Sequence, residues 1–118
     1  MRYDHPRERQ TDKNNALQIV EYALAIIEKE NRDPDAWERQ SLARAINAIY
    51  RGAYNLAAAE ARFALVPSEE REPGWQASAD VPIDLFNAGV LRQAMVKVKG
   101  EPIRHSPHFG PVLLVGKS

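Results

Sequence analysis

The sequence predicts a mainly α-helical domain: a small helical bundle of about four helices with a central helix–turn–helix hairpin and an extended C-terminal tail or short strand. Three observations predict it. Apolar residues recur at intervals of three and four within 17–27, 37–49 and 83–98, the period of helices buried on one face. An alanine-rich stretch, 45–65, is divided by Gly52. Breaks containing proline separate the periodic stretches, at Asp33-Pro34, at 67–74 and at Asp80-Val81-Pro82.

Taken in order, residues 1–11 read as a flexible polar arm in which Arg2, Arg7 and Arg9 alternate with Asp4 and Glu8. Thr11 or Asp12 can cap a first helix running to about Asn31, with Leu17, Val20, Leu24 and Ile27 as its apolar stripe and Ile19, Ala23 and Ile26 widening it. Glu21, Glu28, Lys29 and Glu30 read as solvated. Asp33-Pro34 opens the second helix, because aspartate can cap and proline suits the first helical position. This helix reaches about Arg51 and carries Trp37, Ser41, Ala45, Ala48 and Ile49 on one stripe, with Leu42 and Ile46 beside it. Trp37 reads as closing the end of the core. Asp35 and Glu38 are the expected partners of Arg39, Arg44 and Arg51.

The third helix spans Tyr54 to about Val66 and completes residues 12–66 as a three-helix unit. Small residues at Ala45, Ala48, Ala57, Ala58, Ala61 and Ala64 let the two arms of the hairpin approach, with Ile46, Ile49, Leu56, Phe63 and Leu65 supplying apolar volume. Gly52 suits the point where the chain leaves a helix, and Tyr50 and Tyr54 flank it. Residues 67–79 form a loop. Trp75 within it either plugs back onto the helices or belongs to an exposed contact site. Asp80-Val81-Pro82 opens a fourth helix over 80–99, although Gly89 weakens it and Met95 to Lys99 also alternates like a strand. Pro102, Pro107, Gly110 and Pro111 exclude helix from 100–118, leaving a tail in which 112–115 can be a strand.

Ala45, Gly52, Tyr54, Ala57, Ala64 and Leu65 fall in the spacing of one tetratricopeptide-type helical hairpin, and residues 41–67 resemble such a unit. Ser41, Arg44 and Ala61 depart from that pattern, which has tryptophan, leucine and an aromatic residue there, and Pro67 ends the unit early. A chain of this length does not hold an array of these repeats. The resemblance implies a single hairpin of a kind used for protein binding.

Composition narrows the function. A chain of 118 residues is one domain, and its 16 basic and 16 acidic residues cancel, so no global field draws it to nucleic acid or an anionic membrane. There is no cysteine for a disulfide, a thiolate or a metal. The polar N-terminus is no secretory signal, and no apolar run approaches the roughly 18 residues of a membrane span. These features fit a cytoplasmic protein. Acidic residues gather in the middle (Glu60, Glu69, Glu70, Glu72, Asp80, Asp84) and basic ones toward the end (Arg92, Lys97, Lys99, Arg104, Lys117), which suits pairing within one chain or between copies.

His105-Ser106-Pro107-His108 is the one grouping that resembles chemistry. A zinc site needs three or four ligands, and neighbours in sequence do not thereby meet as nucleophile and base. No cofactor motif is present. The expected function is therefore a non-enzymatic protein–protein interaction module, able to self-associate as a dimer, that binds through its helical surface and through Trp75, Tyr50, Tyr54 and Phe109. The alternative is a nucleic-acid binder using Arg92, Lys97, Lys99 and Arg104; a metal-assisted hydrolase at His105 and His108 is a third.

Overall fold

The computed structural model describes residues 6–107 and Leu113. It contains four α-helices: α1 (Pro6–Lys29), α2 (Ala36–Arg51), α3 (Tyr54–Ala64) and α4 (Ala88–Lys99). Short 3-10 turns occupy Ser68–Glu70 and Ile83–Leu85, and no strand occurs among the described residues. α2 and α3 form the hairpin and make the most extensive helix contact. α1 packs chiefly on α3, and α4 lies across α1 and α2.

α1 buries Ala16, Val20, Ala23, Leu24 and Ile27, while Leu17, Ile19 and Ile26 are half-buried. It begins at Pro6, not at Thr11 or Asp12, so part of the expected arm is helix. The reason lies on its inward face: Arg9 and Lys13 continue the stripe of Ala16 and Val20 one and two turns further, and both are buried. Residues 1–5 lie outside the described residues.

Asp35 caps α2, two residues beyond Asp33, because its side chain can accept from the Glu38 amide while Glu38 accepts from the Asp35 amide. This reciprocal arrangement satisfies two otherwise orphaned donors. Glu38 also accepts from both terminal guanidinium nitrogens of Arg32, at 2.7 and 2.8 Å. The expected partners of Arg39, Arg44 and Arg51 are thus taken by others, and Arg39 donates instead to the Pro34 carbonyl at 2.8 Å.

α2 ends at Gly52, whose φ of 87° is the left-handed conformation that glycine adopts without strain. The core between the helices is built from Leu42, Ala45, Ile46, Ile49, Ala57, Ala58 and Ala61, with Tyr54 fully enclosed. Leu56 and Phe63 do not join it. They point outward, 55% and 51% exposed, because they lie on the face of α3 opposite Ala57, Ala61 and Ala64, which turn into the core.

The fourth helix is shorter than expected. Phe86 is buried in an irregular conformation, and Asn87 caps α4 by accepting from the Val90 amide at 2.9 Å. Asp80 and Pro82 precede a 3-10 turn instead. Leu91, Ala94, Met95 and Val98 then face the core, so Met95 to Lys99 is helix and not strand. Residues 100–107 follow without helix or strand. The expected strand at 112–115 lies outside the described residues except for Leu113, whose amide donates to the Asn47 side chain at 2.7 Å.

Candidate interaction surface

The residues singled out in the sequence fall into three places. The first is the N-terminal end of α2. Trp75 packs edge-on against Trp37, with ring centroids 5.0 Å apart and planes at 62°. Arg71 lies over the same Trp37 ring at 5.3 Å and bonds to Asp35 at 2.8 Å. The Trp37 indole donates to the Phe63 carbonyl at 2.5 Å, and the Ser78 amide donates to Gln40 at 2.6 Å, fastening the loop across α2. Both tryptophans remain half-buried. Burial alone would raise the Asp35 carboxyl, but donation from Arg71 and from the Glu38 amide holds it below its ordinary value. Phe63, whose carbonyl accepts from Trp37, and Leu56 share one exposed stripe of α3, seven residues apart.

The second place is the Gly52 turn, where residues 101–106 form a strap. Tyr54 is buried, so it has no free face to offer a partner; its hydroxyl accepts from the Arg104 amide at 3.1 Å. Arg9 lies over the Tyr54 ring at 4.8 Å and donates to the carbonyls of Gly52 and Arg104, each at 2.8 Å. Arg104 in turn lies over Tyr50 at 5.4 Å and donates to the Tyr50 carbonyl at 2.7 Å. Lys13 donates to the Glu101 carbonyl at 2.6 Å. Burial holds the Lys13 ammonium below its ordinary value, Glu101 opposes that shift and Arg104 adds to it. The strap passes so close that a Cβ on Gly52 would meet the Arg104 Cβ at 2.7 Å. The cations at this turn are structural clasps that the sequence alone does not reveal, since their acceptors are backbone carbonyls.

The third place is the seam between α4 and α1. Arg92 bonds to Glu21 at 2.6 Å and to Glu28 at 3.0 Å, and Lys99 also pairs with Glu21. Donation from Lys99, then from Arg92, holds the Glu21 carboxyl below its ordinary value. Arg92 and Lys99, two of the basic residues expected to meet the acidic middle, therefore pair with Glu21 and Glu28 of α1 instead. Of the four residues of the nucleic-acid alternative, Arg92 and Lys99 are held in this seam, Arg104 in the strap, and Lys97 is exposed.

His105 is exposed, and His108 and Phe109 lie outside the described residues. Among the described residues no three histidine, cysteine, aspartate or glutamate side chains come together as a ligand set. No described helix is long and apolar enough to cross a membrane. Beside the seam, Asn14, Leu17, Gln18, Glu21, Tyr22, Ala25 and Lys99 line an open groove of about 720 Å³. Tyr22 on its edge is 61% exposed. No family model, curated protein or solved structure matches the chain significantly.

Proposed function

We propose that the chain is a non-enzymatic protein-binding module whose contact surface is the outer face of α3 with the aromatic cap beside it. The observation that carries this reading is the exposure of Leu56 and Phe63 on one stripe of α3, tied at the Phe63 carbonyl to the half-buried Trp37–Trp75 pair. Large apolar side chains grouped at the surface mark contact sites, and aromatic residues anchor such contacts well. The cap is held from behind by Arg71 and by the indole bond to the Phe63 carbonyl, so it meets a partner already ordered. The tetratricopeptide-like spacing of the hairpin supports the same use: two close helices presenting side chains outward. The partner that fits is an amphipathic protein segment that covers Phe63, Leu56 and the edge of Trp75.

The test is capture from the native cell extract with tagged wild-type protein and with Leu56→Ser/Phe63→Ser, before and after nuclease. A protein retained by the wild type after nuclease and lost with the double substitution supports the reading. Equal capture by both proteins removes the α3 face from it. Recovery of nucleic acid alone, lost on digestion, favours the basic residues instead.

A further inference from the structure

The solvent face of α1 is built differently from the rest of the surface. Positions 8, 11, 15, 18, 22, 25 and 29 alternate steps of three and four, the spacing of a helix–helix seam, and all seven side chains are exposed. They are Glu8, Thr11, Asn15, Gln18, Tyr22, Ala25 and Lys29. Charge occurs only at the two ends. Every fully exposed residue from Gln10 to Ala25, including the flanking Asn14, is uncharged, and of the half-buried charges beside the row Glu21 is already engaged by Arg92 and Lys99. Depletion of charge with retention of tyrosine is the mark of an interface centre, not of a face selected for solvation.

The order of the residues identifies the occupant. We infer that a second copy of this chain lies antiparallel along α1, with the two-fold axis at Gln18. In that register Gln18 faces Gln18, Asn15 faces Tyr22, Thr11 faces Ala25, and Glu8 of each copy faces Lys29 of the other. Both ends are then electrostatically complementary. A parallel arrangement sets Glu8 against Glu8 and Lys29 against Lys29. Among the described residues neither Glu8 nor Lys29 has an ion-pair partner within its own chain, whereas Glu21, Glu28 and Glu30 are all paired. The groove along Leu17 and Tyr22 leaves space beside the seam for the tyrosine ring of the second copy. From residue 8 to residue 29 the contact is about 32 Å long, which corresponds to a small interface and a weak, concentration-dependent dimer. This face is separate from the α3 surface, so the two readings stand or fall independently.

The test uses sedimentation equilibrium on the full chain over a concentration series. Glu8→Lys and Lys29→Glu each turn both end contacts repulsive and are expected to weaken the dimer about tenfold. Mixing the two variants restores association: one then carries lysine at both positions and the other glutamate at both, so each end of the mixed dimer joins opposite charges. Since the chain has no cysteine, Gln18→Cys provides a second readout: mild oxidation links it into a covalent dimer, and Gln93→Cys on α4 does not. A wild type that is monomeric at every concentration overturns the inference. So does a dimer indifferent to both reversals, a mixture that fails to reassociate, or a Gln18→Cys variant that does not cross-link.

Discussion

Two sets of cations hold this molecule in different ways. At the Gly52 turn Arg9 and Lys13 are 2% and 3% exposed, and they donate to backbone carbonyls of the strap and the turn. In the α4–α1 seam Arg92 and Lys99 are partly exposed and pair with the carboxylates of Glu21 and Glu28. Exposed pairs contribute little, because water competes for both charges and ordering long side chains costs entropy. A buried cation whose partners are fixed carbonyls is different: removing it leaves those carbonyls without donors in a partly or fully buried place. The turn should therefore dominate stability, although the seam has more ion pairs.

Arg9→Ala is expected to have the largest effect. It removes donors from the Gly52 and Arg104 carbonyls and the cation over Tyr54, and is expected to cost about 3 kcal/mol or more. A denaturant midpoint that hardly moves would place the weight elsewhere. Gly52→Ala should follow at about 2–3 kcal/mol, combining left-handed strain with the overlap against Arg104. Chemical denaturation with an unchanged slope would check it. Arg92→Ala, which deletes two ion pairs at once, is expected to cost no more than about 1 kcal/mol and to lose even that at high salt.

The pH dependence separates the two regions, at opposite ends of the pH range and with the smallest effects. Glu21 has a folded pKa below its ordinary 4.5, so its contribution is present above that value and lost as pH falls through the folded pKa. Lys13 has a folded pKa below its ordinary 10.5, so the unfolded chain binds more protons between the two and stability from this group rises with pH there. Thermal unfolding across both limbs, with Glu21→Gln and Lys13→Met as references, should flatten the acid limb in the first variant and the alkaline limb in the second.

The two regions also differ in how visible they are in the sequence. The stripe of Val20, Leu24 and Ile27 is legible from spacing alone, and so is the glycine exit at Gly52, because both follow from backbone periodicity and φ preference. Arg9 reads instead as part of a solvated arm, and Lys13 carries no signal of burial. Their acceptors lie 95 and 88 residues away and are main-chain atoms with no sequence signature. Leu56 and Phe63 read as core for the complementary reason. Their spacing fits a helix face, but it is the opposite face of α3, that of Ala57, Ala61 and Ala64, that packing turns inward. Trp75 is legible as an outlier; its seat on Trp37 is not.

A mainly helical chain, the hairpin about Gly52 and the inward stripes of its helices are legible in the residues alone, because these depend on local periodicity, small residues and backbone freedom. That α1 begins at Pro6, that Arg92 and Lys99 pair with α1, and that Tyr54 is sealed while Phe63 faces water are outcomes of tertiary packing. Those outcomes depend on which distant groups share a boundary once the chain is packed, and no local pattern encodes that neighbourhood.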